Sequence, residues 1–187
     1  PTGLLHEYGE TDRMAFGLLT GSFYKNLSGG LLRKNITSFK DEINTSNGQF
    51  ITPPTAGSIV NTISNIRVVG FRGDYAYNDN GCSVPMVTPL VEGVCAMWGD
   101  PVAEMMYESL RYFAGKTGPT TDYAVTSGEF SRFDAADNLN LPKPAWTDPY
   151  RPVAEGGYLY CSKPFVLAIA DAPSFDTDQL PGVASNF

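Results

Sequence analysis

The chain has 187 residues, of which 42% are hydrophobic; this allows one domain with an apolar core and excludes a disordered acidic tail. Its net charge of −7 and pI of about 4.6 argue against binding to nucleic acid or anionic membranes, because both need clustered Lys and Arg. No apolar run approaches the ~18 residues of a membrane-spanning helix. The start at Pro1, without a signal peptide, predicts a processed chain or a piece of a longer one.

The first third of the chain predicts short strands joined by turns. Residues 13–21 (RMAFGLLTG) form an apolar run between polar residues and glycine, which favours a buried strand. Residues 30–38 (GLLRKNITS) follow a Ser-Gly-Gly turn and are expected to pair back as an edge strand. The dipeptide Asn47-Gly48 marks a second tight turn, between DEINTS and QFIT.

Two helices are predicted. In residues 57–66 the spacing of Ile59, Ile63 and Ile66 is that of one helix face. The clearer helix is 100–114, with Asp100 as N-cap and Pro101 at the first helical position. Its predicted buried stripe is apolar, and Gly115 is expected to close its end; the stripe comprises Val102, Met105, Met106, Leu110 and Phe113.

The remaining segments predict a layered α/β domain with insertions. Residues 70–98 and 116–160 are rich in loop-forming residues and are interpreted as insertions into a single domain spanning 1–187. The run KPFVLAIAD then has the continuous apolar character of a strand in a parallel sheet covered on both faces. Alternation of strands and helices favours the α/β class.

The cysteines suggest a disulfide rather than zinc. Cys82, Cys95, Cys161 and the single His6 are too scattered for a structural zinc site, which needs about four closely spaced ligands. Cys82 and Cys95 bracket a short Pro- and Gly-containing loop and are predicted to pair; buried free thiols in a cytosolic protein are the alternative. A partner for Cys161 is expected outside this chain.

Asp171 is the candidate site residue. It ends the run FVLAIAD, and α/β domains bind ligands at the carboxyl ends of their strands. The turn Trp98-Gly99-Asp100 is a candidate for the same rim. Asp176 and Asp178 are interpreted as solvated loop acids.

Four stretches resemble the large PilY-type proteins of type IV pili: PTGLLHEYGETDRMAFGLLTGSF, GGLLRKNITSFKDEIN, MWGDPVAEMMYESLRYFAG and CSKPFVLAIADAPSFDTDQLPG. The similarity is weakest across 72–80 and 116–157. Members of this family are exported bacterial proteins that assist pilus assembly and act as tip adhesins. The resemblance implies an extracellular location, at the cell surface or pilus tip. It also implies three kinds of partner: pilin or other pilus proteins, a host or surface receptor, and the remainder of a longer chain.

The resemblance also implies a fold and a metal site. The region resembles the later part of a von Willebrand factor A-type domain, a Rossmann-like sheet with helices on both faces, here partial and with long loop insertions. Such domains bind a divalent cation, Mg²⁺ or Ca²⁺, through three segments. Asp171 matches the aspartate that ends a later strand, and Asp100 stands where a threonine is expected. The first segment, a DxSxS loop, is absent from this sequence.

The leading functional hypothesis is a non-catalytic adhesion and pilus-assembly domain. One alternative is a metal-free structural module that binds pilin or another protein subunit. The other is a surface hydrolase that uses carboxylates, for which Glu104 and Glu108 share a helix face at the i, i+4 spacing. An exposed acidic helix face is the simpler interpretation of that pair.

Overall fold

The computed structural model describes residues 3–67, 92–93, 98–99, 101–135, 139–170 and 180–182. Their regular elements are, in chain order, α1 (Leu4–Gly9), β1 (Phe16–Thr20), β2 (Leu31–Thr37), β3 (Ile43–Asn44), β4 (Gln49–Phe50), α2 (Ile59–Asn65), α3 (Val102–Phe113) and α4 (Ser127–Phe133), with short 3₁₀ turns at Thr121–Tyr123 and Val153–Glu155. None of the helices among these residues is long and apolar enough to cross a membrane.

Strands β1 and β2 form an antiparallel pair, which confirms both predicted strands and their pairing. The predicted burial of β1 is wrong, because its residues are half-buried or exposed, whereas the first three residues of β2 are buried. Thr20 lies opposite Leu31, and Phe16 lies opposite Thr37 at the other end. The Asn35 side chain joins β2 to a distant segment: its amide donates to Ala145 O at 2.9 Å and its oxygen accepts from Thr147 N at 2.8 Å. The backbone of β2 also contacts α3, because the Ile36 N–H donates to the Tyr112 hydroxyl at 3.0 Å.

The predicted turn at Asn47-Gly48 is confirmed by the β3–β4 hairpin. Ile43 pairs with Phe50, and the Gly48 N–H donates to Asn44 O at 2.8 Å. Gly48 has a φ of 68°, which glycine adopts without the steric cost of a side chain.

The apolar core joins these elements. Phe39, Ile43 and Ile59 are buried at its centre, and Leu5, Phe16, Leu18 and Val60 pack around them. The rings of Phe16 and Phe39 lie 5.3 Å apart in a tilted arrangement, a favourable geometry for aromatic pairs.

The helix at 57–66 is confirmed, but its predicted face is only partly correct. Ile59 is 5% exposed, whereas Ile63 is 56% exposed. The second buried position of α2 is Thr62, whose hydroxyl donates to Ser58 O at 2.7 Å and so satisfies its polar group locally. Helix α2 has only two turns, and its buried residues, Ile59 and Thr62, lie in its first four positions. The spacing of the isoleucines does not show how much of the helix contacts the core.

The predicted buried stripe of α3 is wrong at its centre. Met106 is 42% exposed and Leu110 is 64% exposed, while the residues of α3 that are buried are Val102, Glu104, Glu108 and Tyr112. Pro101 takes the N-cap position rather than the first helical one, and Asp100 lies outside the described residues. The predicted end at Gly115 is confirmed, with φ of 72° and its N–H donating to Tyr112 O.

Two further expectations need correction. The segment 116–160 was expected to be a loop, yet it contains α4, whose capping box joins Thr126 and Glu129. The run KPFVLAIAD is predicted to be a strand covered on both faces, yet its described residues, 163–170, have no regular secondary structure and are all exposed. The sheets among the described residues are both two-stranded and antiparallel.

Candidate docking segment and buried ionic contacts

All four residues of the predicted metal and disulfide sites lie outside the described residues; they are Cys82, Cys95, Asp100 and Asp171. The metal site and the disulfide therefore stay predictions. Among the described residues, no group of three or more His, Cys, Asp or Glu side chains could hold a metal ion. Cys161 is described, and its thiol is free and exposed.

Glu104 and Glu108 share a face of α3 as predicted, but that face is buried, not exposed. The Glu108 carboxylate accepts hydrogen bonds from Thr120 N at 2.9 Å and from the Thr120 hydroxyl at 2.5 Å. It also forms an ion pair with Arg111 at 3.2 Å. Glu104 and Glu108 are each 0% exposed, so a glycan substrate has no access to either carboxylate in this structure.

Tyr123 lies beside these two glutamates. Its burial, followed by the charges of Glu104 and Glu108, raises the pKa of Tyr123 to about 12. Gly29 makes this close packing possible: it has a φ of 75°, and a Cβ there would lie 2.5 Å from the Tyr123 Cβ. Tyr123 lies in the segment 116–160, which the sequence indicates only as an insertion, so no sequence pattern predicted its burial.

A buried ion pair joins β2 to the end of α4. Arg33 and Asp134 are 2.8 Å apart, with side chains 0% and 3% exposed. The other guanidinium nitrogens donate to the Thr20 hydroxyl at 2.8 Å and to Pro142 O at 3.2 Å. Burial lowers the pKa of Arg33 and raises the pKa of Asp134 from their ordinary values. Arg33 gave no sequence signal, because its partner is 101 residues away.

Glu42 fixes the start of α2. Its carboxylate accepts hydrogen bonds from Ile59 N and Val60 N, both at 2.8 Å, and is paired with Lys34. The first N–H groups of a helix have no intrahelical acceptor and carry partial positive charge, so a carboxylate there stabilises the helix. Like Glu108, Glu42 therefore stabilises the fold.

A shallow groove of about 440 Å³ runs along β2. Its cations are already engaged: Arg33 with Asp134, Lys34 with Glu42, and Lys143 with Val125 O. Two of the three groove cations, Arg33 and Lys34, are therefore neutralised by internal carboxylates.

The most unusual surface is the docking segment, defined as residues 163–170. Its large side chains are exposed: Phe165 at 71%, Val166 at 46%, Leu167 at 85% and Ile169 at 88%. Contiguous exposed apolar surface of this kind marks interaction sites in soluble proteins.

The docking segment leaves from an anchored base. The Tyr150 hydroxyl donates to Ser162 O at 2.9 Å, and the Tyr158 N–H donates to Pro149 O at 2.8 Å. Arg151 holds the same turn, donating to Asp148 O at 3.0 Å and to Glu155 O and Gly156 O, each at 2.9 Å. The exposed run thus projects from a base fixed by hydrogen bonds.

Comparison with known proteins decides the family. Residues 16–187 match a family model described as "PilY1 homolog, second domain". The chain belongs to this family. The PilY-type resemblance is thereby confirmed, and the von Willebrand A-like fold stays a prediction.

A curated protein of similar sequence is also named as a PilY1 homolog. The chain is 47% identical over 192 residues to the type IV pilus biogenesis factor PilY1 homolog of Xylella fastidiosa strain Temecula1. The alignment covers 97% of this chain but only 12% of that protein, so the chain corresponds to a small part of its relative. No solved structure matches the chain.

Proposed function

We propose that this chain is a non-catalytic domain of a type IV pilus protein that acts in pilus assembly and adhesion at the bacterial cell surface or pilus tip. The observation that carries the proposal is the 47% identity, over nearly the whole chain, to a protein named as a pilus biogenesis factor. Its partners in this proposal are pilin or other pilus proteins and a surface receptor.

The chemistry of the described residues supports a binding role over a catalytic one. Glu42, Glu108 and Asp134 are buried and committed to backbone N–H groups, hydroxyls or an internal cation. A general acid or base must reach the atom whose proton it transfers. Carboxylates held in this way stabilise the scaffold.

Deletion of the domain tests the proposal. In a bacterium that carries the longer protein, removal of the codons for residues 16–187 is expected to reduce the surface pilin recovered by shearing and the attachment of cells to surfaces. The matched control is the Leu110→Asp variant of the intact protein, which changes an exposed side chain. Normal pili and normal attachment in the deletion strain would contradict the proposal.

The proposed cation site is a separate part of this function. Asp171 and Asp100 are proposed to contribute to a Mg²⁺ or Ca²⁺ site that needs a further oxygen-bearing segment from the longer polypeptide, because hard cations take six or more oxygen ligands. Calorimetric titration of Mg²⁺, Mn²⁺ and Ca²⁺ is expected to show binding by an upstream-extended form and not by this chain. Asp171→Ala is expected to abolish that binding. Tight binding by this chain that survives Asp171→Ala would place the site elsewhere and favour a different ligand set.

A further inference from the structure

The β3–β4 hairpin holds two asparagines in the same local arrangement. The Asn44 side-chain oxygen accepts from Ser46 N at 3.0 Å, and the Asn47 side-chain oxygen accepts from Gln49 N at 3.0 Å. Both asparagines are exposed to solvent. In each case the bond curls the carboxamide back along the backbone, past the amide of the next residue. The two sites differ in that next residue, which is threonine in the first case and glycine in the second.

The next residue matters because its amide nitrogen is the group that can attack the carboxamide carbon. Glycine has no Cβ, so the Gly48 nitrogen is less hindered than the Thr45 nitrogen, which adjoins a carbon with a branched side chain. An attack on the Asn47 carboxamide places negative charge on its oxygen, and Gln49 N already donates to that oxygen. A donor aimed at a developing oxyanion lowers the barrier, and the short tether keeps the reacting atoms close.

We propose that Asn47 is a site of spontaneous modification, at which the asparagine is converted to isoaspartate and aspartate through a cyclic imide. The Gly48 nitrogen gives up its proton to solvent base and forms a bond to Asn47 Cγ. The bond from Cγ to Nδ2 breaks, and the amino group leaves as ammonia with a proton taken from water. Water then adds to either carbonyl of the ring and reopens it, which leaves one new carboxylate. The reaction exchanges ammonia for water, so it needs no oxidant or reductant.

One contact of the folded hairpin opposes this reaction. The Gly48 N–H donates to Asn44 O at 2.8 Å, and this bond must open before the nitrogen can attack. The hairpin has only two pairs of facing residues, Ile43 with Phe50 and Asn44 with Gln49, and its loop is largely exposed. Short exposed elements of this kind open at a low cost in free energy. The nitrogen is therefore accessible without unfolding of the core.

The products change the hairpin. Isoaspartate carries the chain through its side-chain carbon, so the backbone before Gly48 gains one methylene and loses the geometry of the tight turn. Either product also adds a negative charge to a chain whose net charge is already −7. The inference goes beyond the proposed function, since it holds whether or not pilus assembly depends on the domain.

Peptide mapping of the folded protein after incubation in mildly alkaline buffer tests the proposal. Isoaspartate, identified by fragmentation and by labelling with an isoaspartyl methyltransferase, is expected to form at least ~10-fold faster at 47 than at 44. A sample incubated in urea gives the rate without the hairpin. Absence of isoaspartate at 47 in the folded protein would overturn the proposal, whatever happens in urea. Equal rates at 44 and 47 would overturn it as well.

A substitution pair provides the control. Thr45→Gly gives Asn44 the same unhindered neighbour and is expected to raise conversion at 44 at least ~10-fold. Thr45→Val keeps a branched side chain and is expected to leave conversion at 44 unaltered. Equal conversion at 44 in the two variants would contradict the proposal. If Thr45→Gly disrupts the hairpin, the comparison of 44 with 47 in the unsubstituted protein decides the question.

Discussion

Arg33 and Asp134 form an ion pair from which water is almost wholly excluded, with side chains 0% and 3% exposed. Removing one partner of such a pair leaves the other charge buried and uncompensated. Asp134→Asn is therefore expected to lower the free energy of unfolding by about 3–5 kcal/mol.

The matched control for that substitution is Asp41→Asn. Asp41 pairs with Lys34 at 3.4 Å and is 66% exposed, so its loss is expected to cost about 0–1 kcal/mol. Urea denaturation of both variants measures the difference. Similar losses in the two variants would show that the Arg33–Asp134 pair is not the stabilising contact described here.

Tyr123 makes stability depend on alkaline pH. Its pKa is raised to about 12 in the folded protein, above the ordinary value of 10.0, so the folded state retains the proton longer than the unfolded state. The stability from this residue is complete below about pH 10 and is lost as pH rises towards about 12. Urea midpoints across this window are expected to fall less in Tyr123→Phe than in the wild type.

Two other tyrosines contribute to the remaining loss of stability at alkaline pH. Burial also raises the pKa of Tyr112 and of Tyr158, so Tyr123→Phe is expected to retain part of the alkaline loss of stability. An unchanged pH dependence in Tyr123→Phe would mean that this hydroxyl does not titrate in a buried environment.

At the scale of elements, α2 offers a matched pair of isoleucines. Ile59 is 5% exposed and belongs to the core with Phe39 and Ile43, whereas Ile63 is 56% exposed. Ile59→Ala is expected to cost about 2–4 kcal/mol in the free energy of unfolding. Ile63→Ala is expected to change it by less than about 0.5 kcal/mol, as at ordinary surface positions. Chemical denaturation measures both, and equal costs would mean that the isoleucine spacing had identified the buried face after all.

The buried face of α3 is tested by the same comparison of a buried with an exposed side chain. The Tyr112 hydroxyl accepts from Ile36 N at 3.0 Å and is within hydrogen-bond distance of the Asn35 side-chain oxygen. Tyr112→Phe leaves that N–H without its acceptor and is expected to cost about 1–3 kcal/mol. Leu110→Ala, at a position 64% exposed, is expected to cost less than about 0.5 kcal/mol. A large loss from Leu110→Ala would restore the apolar stripe predicted from the sequence.

At the scale of the whole molecule, the docking segment governs how this chain behaves apart from the longer protein. An apolar surface that includes Leu167 and Ile169 is expected to bind the dye ANS and to promote association. The double variant Leu167→Asp/Ile169→Asp is expected to reduce the dye fluorescence severalfold. Leu110→Asp is the control, and equal reduction by both would place the dye elsewhere.

The sequence by itself determined the positions of most elements and the family. An apolar run between polar residues and glycine located β1, and the turn Ser-Gly-Gly located the start of β2. Asn47-Gly48 located the hairpin and Gly115 located the end of α3, because these signals act through the local backbone. The four quoted stretches identified the PilY-type family. The site residues Asp100 and Asp171 remain predictions from that resemblance.

Only the tertiary structure decided which surfaces are covered. Periodicity shows that Glu104 and Glu108 share a face, but not that other segments bury it while Leu110 faces water. The burial of Arg33 depends on Asp134, a residue 101 positions away that no local pattern indicates. The run 163–170 has the sequence of a buried strand, yet burial requires a partner, and within the described chain none covers it. Local signals fix backbone conformation, whereas burial is set by contacts between residues far apart in the chain.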